Sequence, residues 1–242
     1  MLTLCALSAG RRTRSGVLLL SGLLAACLAL GACNRDNRSQ PALPSVSGPI
    51  AAQHAPAPGH VFASRAWGFR IDVPDGWAVQ RGFKSSYLTN GTWKTFAAPD
   101  AQGQPIVSLV MPGSNDVSDA EIRIGASRAA NEVAACNQPP AAVRPGSVAI
   151  RRIHGIRFTT FAAGDAAMSH HLKVHAYRGV RNGTCYAIDL LVFGTNPQVF
   201  DPPARPPFSD ARAFAAMDAV AQTLRFTDAA DQAAASAATV SR

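Results

Sequence analysis

The chain has 242 residues, 48% of them hydrophobic and 16% charged, with 23 Lys+Arg against 15 Asp+Glu and a formal net charge of +8. The basic residues are scattered, with no five-residue run of them, which excludes a concentrated nucleic-acid footprint and a nucleic-acid partner. Arginine heavily outnumbers lysine, and beside the high alanine content this reads as a GC-rich genome and not as a binding site.

In chain order the first element is an apolar run, Val17 to Leu30, preceded by Arg11, Arg12 and Arg14 and followed by Gly31, Ala32 and Cys33. Basic segment, apolar core and small residues together form a secretory signal. The cysteine directly after them resembles a lipobox, the site at which bacterial lipoproteins are lipidated and cut. The run is shorter than the roughly 20 residues that a membrane-spanning helix requires. Leu24-Ala25-Ala26-Cys27 is also lipobox-like, and the flanks decide between the two. Cys27 precedes Leu28-Ala29-Leu30, which belongs in the bilayer; Cys33 precedes Asn34-Arg35-Asp36-Asn37, which belongs in water. Lipidation is therefore expected at Cys33, with residues 1–32 as signal peptide. The leader arginines leave with it, and the mature chain keeps a net charge of +5.

The resemblance to bacterial lipoproteins implies several acyl chains and hence a permanent membrane anchor, since one chain holds a protein only marginally. The residue after the anchor is Asn34, not the aspartate that usually signals inner-membrane retention. The resemblance thus points to the outer membrane, facing the periplasm. Residues 33–60 are rich in Pro, Ala, Ser and Gln without apolar periodicity, and are expected to be a disordered tether. As a flexible coil of about 26 residues it would span roughly 25–30 Å. Residues 228–242 read as a disordered tail, which leaves residues 61–227 as a single domain large enough for one core.

Of the five cysteines, Cys5 and Cys27 lie in the leader and Cys33 takes lipid, so Cys136 and Cys185 remain as a pair in an oxidising compartment. Closing a loop of about 50 residues should stabilise by roughly 4 kcal/mol in the chain-entropy picture. Catalytic dithiols sit as Cys-x-x-Cys, which this pair does not.

Within the domain, Phe69 to Val73 alternates apolar and polar as a half-buried strand should. Pro74-Asp75-Gly76 is a turn, and Trp77-Ala78-Val79 resumes the pattern. Ile106 to Met111 is a strand bounded by prolines, and Ala120 to Ile124 alternates again. Arg128 to Asn137 reads as a short helix carrying Cys136. Val148 to Ile150 and Ile156 to Phe161 flank a His154-Gly155 turn. Met168 to Tyr177 and Thr184 to Val192 form a hairpin about Arg178 to Gly183, signalled by Asn182-Gly183. A final helix is capped by Ser209, with Phe214, Met217, Ala221 and Leu224 on one stripe, and Leu224-Arg225-Phe226 follows as an apolar clamp. The predicted class is α+β, an antiparallel β-sheet packed by helices. The stretch Trp67-Gly68-Phe69-Arg70-Ile71-Asp72-Val73-Pro74-Asp75-Gly76-Trp77 resembles the opening of the PsbP/Mog1-like group, and the helix ending in Leu224-Arg225-Phe226 is similar to that group's ending. The resemblance implies a PsbP/Mog1-like sandwich and an accessory or binding role. It carries no family-wide catalytic residue.

A search for chemistry finds little. His170 and His171 point to opposite faces of a strand, and His171 and His175 stand about 13 Å apart along it. Thr184 to Val192 offers only Asp189 as a further ligand, so no metal site is expected among them. No nucleophile elbow, zinc-binding helix, phosphate loop or dinucleotide fingerprint occurs, and no cofactor is expected. Phe193 to Phe208 carries five prolines interleaved with Phe193, Phe200 and Phe208. With Asn196 it reads either as a stiff crossover whose rings cover the sheet or as an interaction loop held in shape by its prolines. The sequence thus points to a membrane-anchored periplasmic lipoprotein, a non-catalytic module binding an envelope protein or glycan. The alternative is a hydrolase acting on an envelope component, which would need a grouped Ser/His/Asp or His/Asp cleft.

Overall fold

The computed structural model describes residues 58–227; the signal, Cys33, the tether up to residue 57 and the tail lie outside the described residues. Strand β1 (Pro58–Ser64) pairs antiparallel with β2 (Phe69–Pro74). It opens at Pro58, ahead of the expected domain boundary at Val61, because Pro58 sits opposite Pro74 across a bulge. A strand end tolerates proline, where no ladder N–H is lost. Then follow β3 (Ala78–Arg81), β4 (Gln104–Val110), β5 (Asp119–Ser127) and helix α1 (Ala130–Ala135). Next come β6 (Ala149–Ile153), β7 (Ile156–Ala167), β8 (His170–Arg181) and β9 (Thr184–Thr195). After a single 3-10 turn at Pro197–Val199, helix α2 (Asp210–Ala221) and the two-residue β10 (Arg225–Phe226) close the domain.

The strands form a three-stranded sheet, β1-β2-β10, and a seven-stranded sheet, β3-β4-β5-β9-β8-β7-β6. The architecture is the expected α+β sandwich of antiparallel sheet and helix. One face of the large sheet carries Ile122, Ile124, Ile188 and Leu190, all at most 1% exposed. Against it pack Phe69, Ile71 and Val73 of the small sheet and Ala213, Met217 and Val220 of α2. Ser209 caps α2 through its side chain, which accepts the Arg212 N–H, and the expected stripe of Met217, Ala221 and Leu224 is buried.

Sequence and structure part at several boundaries. The β8–β9 hairpin turns tightly on Asn182-Gly183, with φ of 47° and 66°, so Arg178 to Arg181 belong to β8 and not to the loop. Both central residues of such a turn need positive φ, which Asn and Gly accept. Met168 and Ser169, expected within a strand, instead turn the β7–β8 hairpin with φ of 49° and 68°. Helix α1 is shorter than expected, and Cys136 is its C-terminal cap. Its sulfur is bonded to that of Cys185 on β9, with the Cα atoms 5.6 Å apart. Phe193 likewise lies in β9, not in the following loop.

Candidate functional site

The second face of the large sheet is unlike the first. Glu121 and Arg123 of β5 alternate with apolar residues, as a half-exposed strand would, yet both are buried. They form an ion pair at 2.5 Å, and the Ser108 hydroxyl donates to Glu121. Arg178 of β8 pairs with Asp189 of β9 at 2.6 Å. The segment 82–103 between β3 and β4 covers these charges. Arg123 donates to the Lys84 and Asn90 carbonyls and to the Thr89 hydroxyl. The Thr95 N–H donates to Asp189 at 2.8 Å, and Lys94 reaches Glu132 of α1 at 2.6 Å. Trp93 plugs the centre beside the disulfide. Gly125 admits it: a Cβ there would lie 1.9 Å from the Trp93 carbonyl oxygen.

Where β5 and β8 start and β9 ends, this face opens into a cleft of about 450 Å³. Tyr87, 59% exposed, stacks on His170 with ring centroids 4.4 Å apart. The His170 Nδ1 lies 3.3 Å from the Thr195 hydroxyl. Phe193 and Phe200 supply apolar wall, and Asp116 and Asp119 supply carboxylates. Asn115 builds the turn that carries them, its side-chain oxygen accepting the N–H groups of Val117 and Ser118 at 3.0 and 3.1 Å. Asp119 Oδ1 is buried without a hydrogen-bond partner. Burial first, and then the charge of Glu121, raise the Asp119 pKa above the ordinary carboxylate range; Ser114, Arg123 and the Ala120 N–H pull it down in part. Burial, seconded by Lys173, lowers the His171 pKa and favours the neutral ring, against the opposing pull of Asp210.

The cleft also holds Ser86, so it groups serine, histidine and aspartate as a hydrolase would. The pairings differ from a catalytic relay. Ser86 shares its hydroxyl hydrogen bond with Thr89 at 2.7 Å and not with a histidine. His170 faces Thr195, and among the described residues no carboxylate is hydrogen-bonded to its other ring nitrogen.

His175 is exposed to solvent. It stacks on Phe214 of α2 at 3.9 Å, in a groove of about 340 Å³ where the Tyr177 hydroxyl donates to Asp218. Asp189, weighed as a partner for the histidines, projects from the opposite face to His171 and His175, since Leu190 is the residue opposite His175. Among the described residues no group of three or more His, Cys, Asp or Glu could hold a metal ion. The candidate interaction loop divides. Phe193 and Phe200 line the cleft, Phe208 is buried in the main core, and the Asn196 side chain caps the 3-10 turn by accepting the Gln198 N–H. Sequence reasoning missed Tyr87, Asp116 and Asp119. The available signal was the polar run Ser114 to Asp119, which reads as an ordinary turn until the fold sets it beside β8 and β9.

No family model matches the chain, and no curated protein matches it. One similar solved structure is a Bacteroides thetaiotaomicron protein, 12% identical with a TM-score of 0.37, over 71% of this chain and 50% of that one. The chain thus spans half the length of that protein. Another is cyanobacterial PsbP from Synechocystis, 12% identical with a TM-score of 0.37, over 69% of this chain and 91% of that one.

Proposed function

We propose that the chain is a lipoprotein anchored to the outer membrane through acyl chains on Cys33, facing the periplasm. Its domain then serves as a non-catalytic module that binds an envelope component in the cleft at the sheet end. The observation that carries this reading is the cleft itself: apolar and aromatic walls around a carboxylate that lacks a full set of partners. Small-molecule sites have this make-up, a concave and mostly apolar surface with a few placed polar groups. For the anchor, the Cys33→Ser protein should show no acyl mass by intact-mass analysis; lipid persisting on it assigns the anchor to Cys27. For the cleft, a photo-cross-linking residue at Tyr87 should capture an envelope component in intact cells. One at Val61, which is also exposed, should not. Equal labelling at both positions refutes the cleft as the binding site.

A second reading, a hydrolase of an envelope component, is favoured by one observation: Thr195 and His170 stand 3.3 Å apart in a cleft that also holds two aspartates. A nucleophile needs a base that is itself oriented by a third group, and His170 lacks that third group among the described residues. Turnover of ester or amide envelope substrates, abolished by both Thr195→Val and His170→Ala, would establish this reading over the first.

A further inference from the structure

We infer that the cleft takes an organic cation, an ammonium group joined to a compact apolar body; this rests on the cleft being the binding site. The chain is basic, with 23 Lys+Arg against 15 Asp+Glu, yet no lysine or arginine lines the cleft, while Asp116 and Asp119 do. The charges nearest to them are already matched. Arg123 is held by Glu121 and three covering groups, and Lys173 by Asp210. His170 is stacked under Tyr87 and bonded to Thr195, and the half-buried His171 adds no fixed positive charge.

The local field is therefore negative, and an anionic ligand would meet two carboxylates with no cation to offset them. A neutral ligand would displace water from the half-buried Asp119 carboxylate without bringing a charge to replace it, which is costly. An ammonium donates to a carboxylate with a charge-assisted bond, and Asp119 Oδ1 still lacks a donor. The aromatic and apolar wall of Tyr87, Phe193 and Phe200 suits the body of the same ligand. The volume, about 450 Å³, falls in the range of small-molecule sites.

The test uses the full-length chain in detergent micelles, observed by amide NMR, with phenethylammonium and its uncharged counterpart phenethyl alcohol as probes. Phenethylammonium should shift the amides of Asp116, Asp119 and Phe193 and bind about tenfold or more tighter than the alcohol at neutral pH, as one hydrogen bond to a charged group implies. Asp119→Asn should erase that preference. Asp116→Asn, at an exposed turn position that tolerates substitution, should reduce it and so guards against a folding defect in the first variant. Equal binding of the alcohol in the same amides overturns the cationic class and leaves the cleft standing as a binding site. Tighter binding of phenylpropionate, the anionic counterpart, overturns it as well. Cleft amides unmoved by all three probes overturn both the inference and the reading of the cleft on which it rests.

Discussion

The two faces of the seven-stranded sheet solve burial in opposite ways. The face under α2 and the small sheet is apolar throughout its centre, with Ile122, Ile124, Ile188 and Leu190 against Phe69, Ile71 and Met217. The other face buries two ion pairs, Glu121–Arg123 and Arg178–Asp189, under a segment without regular structure. On the first face the covering elements hold themselves together by their own ladders and helical turns, so only contact area is needed. On the second, residues 82–103 have few backbone bonds of their own, and charged side chains of the sheet supply them: Arg123 takes two carbonyls and Asp189 one N–H. A polar sheet face can thus fix an irregular cover. The cleft lies at an edge of that cover, at Ser86 to Leu88, which is why its lining sets one unsatisfied carboxylate oxygen, on Asp119, beside the exposed ring of Tyr87.

The sharpest way to break this contrast is Arg178→Met. It strands the Asp189 carboxylate in the interior, and removing one partner of a buried pair costs about 3–5 kcal/mol. Urea unfolding should register that loss. Adding Asp189→Leu should restore only part of it, because the Thr95 N–H then loses its acceptor, and an orphaned buried donor costs about 1–3 kcal/mol. Full restoration would mean that the network does not hold the cover. On the apolar face, Leu190→Ala should cost about 2–5 kcal/mol through lost burial and the cavity left behind. It should leave the cleft amides unshifted in NMR spectra, whereas Arg178→Met should disturb Thr95 and its neighbours. A Leu190→Ala variant that perturbs residues 82–103 as strongly would erase the distinction between the faces.

Most of the fold was legible because it is written locally. The alternation of Phe69 to Val73, the Asn182-Gly183 turn and the Ser209 cap each carry their own physics within a few residues. The second face was not legible for the same reason. Glu121 and Arg123 alternate with Ala120, Ile122 and Ile124, and that pattern is shared by a solvent-facing strand and by a strand covered from afar. Only the return of residues 82–103 across the sheet separates the two cases. Met168-Ser169 was missed because neither residue announces a positive φ. Of the cleft, Phe193 and Phe200 were singled out as aromatic residues in a proline-rich stretch. Asp119 was not, since its lack of a partner is a property of packing and not of sequence. The histidines show the limit from the other side. Strand parity sent His170 and His171 to different faces, but nothing local foretold that α2 would lay Phe214 on His175.

The smallest effect follows from that stacking and gives the two faces opposite pH slopes. Burial lowers the His175 pKa, with Arg144 and Arg151 adding to it and Asp218 opposing. The unfolded chain therefore binds a proton more readily than the folded one. The stability tied to His175 is present above the unfolded value of about 6.5 and is lost as pH falls through the lower folded value. Asp119, at the end of the other face, runs the other way: its raised pKa favours the neutral acid in the folded state. Its contribution is present below the ordinary carboxylate range and is lost as pH rises through the folded value. His175→Phe keeps a ring on Phe214 and removes the proton. It should flatten the decline in stability below neutral pH, read as urea midpoints at successive pH values. Asp119→Asn should steepen that limb, because it removes the opposing slope, and it should raise the midpoint relative to wild type once pH passes above the folded Asp119 value. Both slopes should be shallow, because each group is only partly shielded from water. A His175→Phe protein with the wild-type slope below neutrality would show that its ring titrates alike in the folded and unfolded chain.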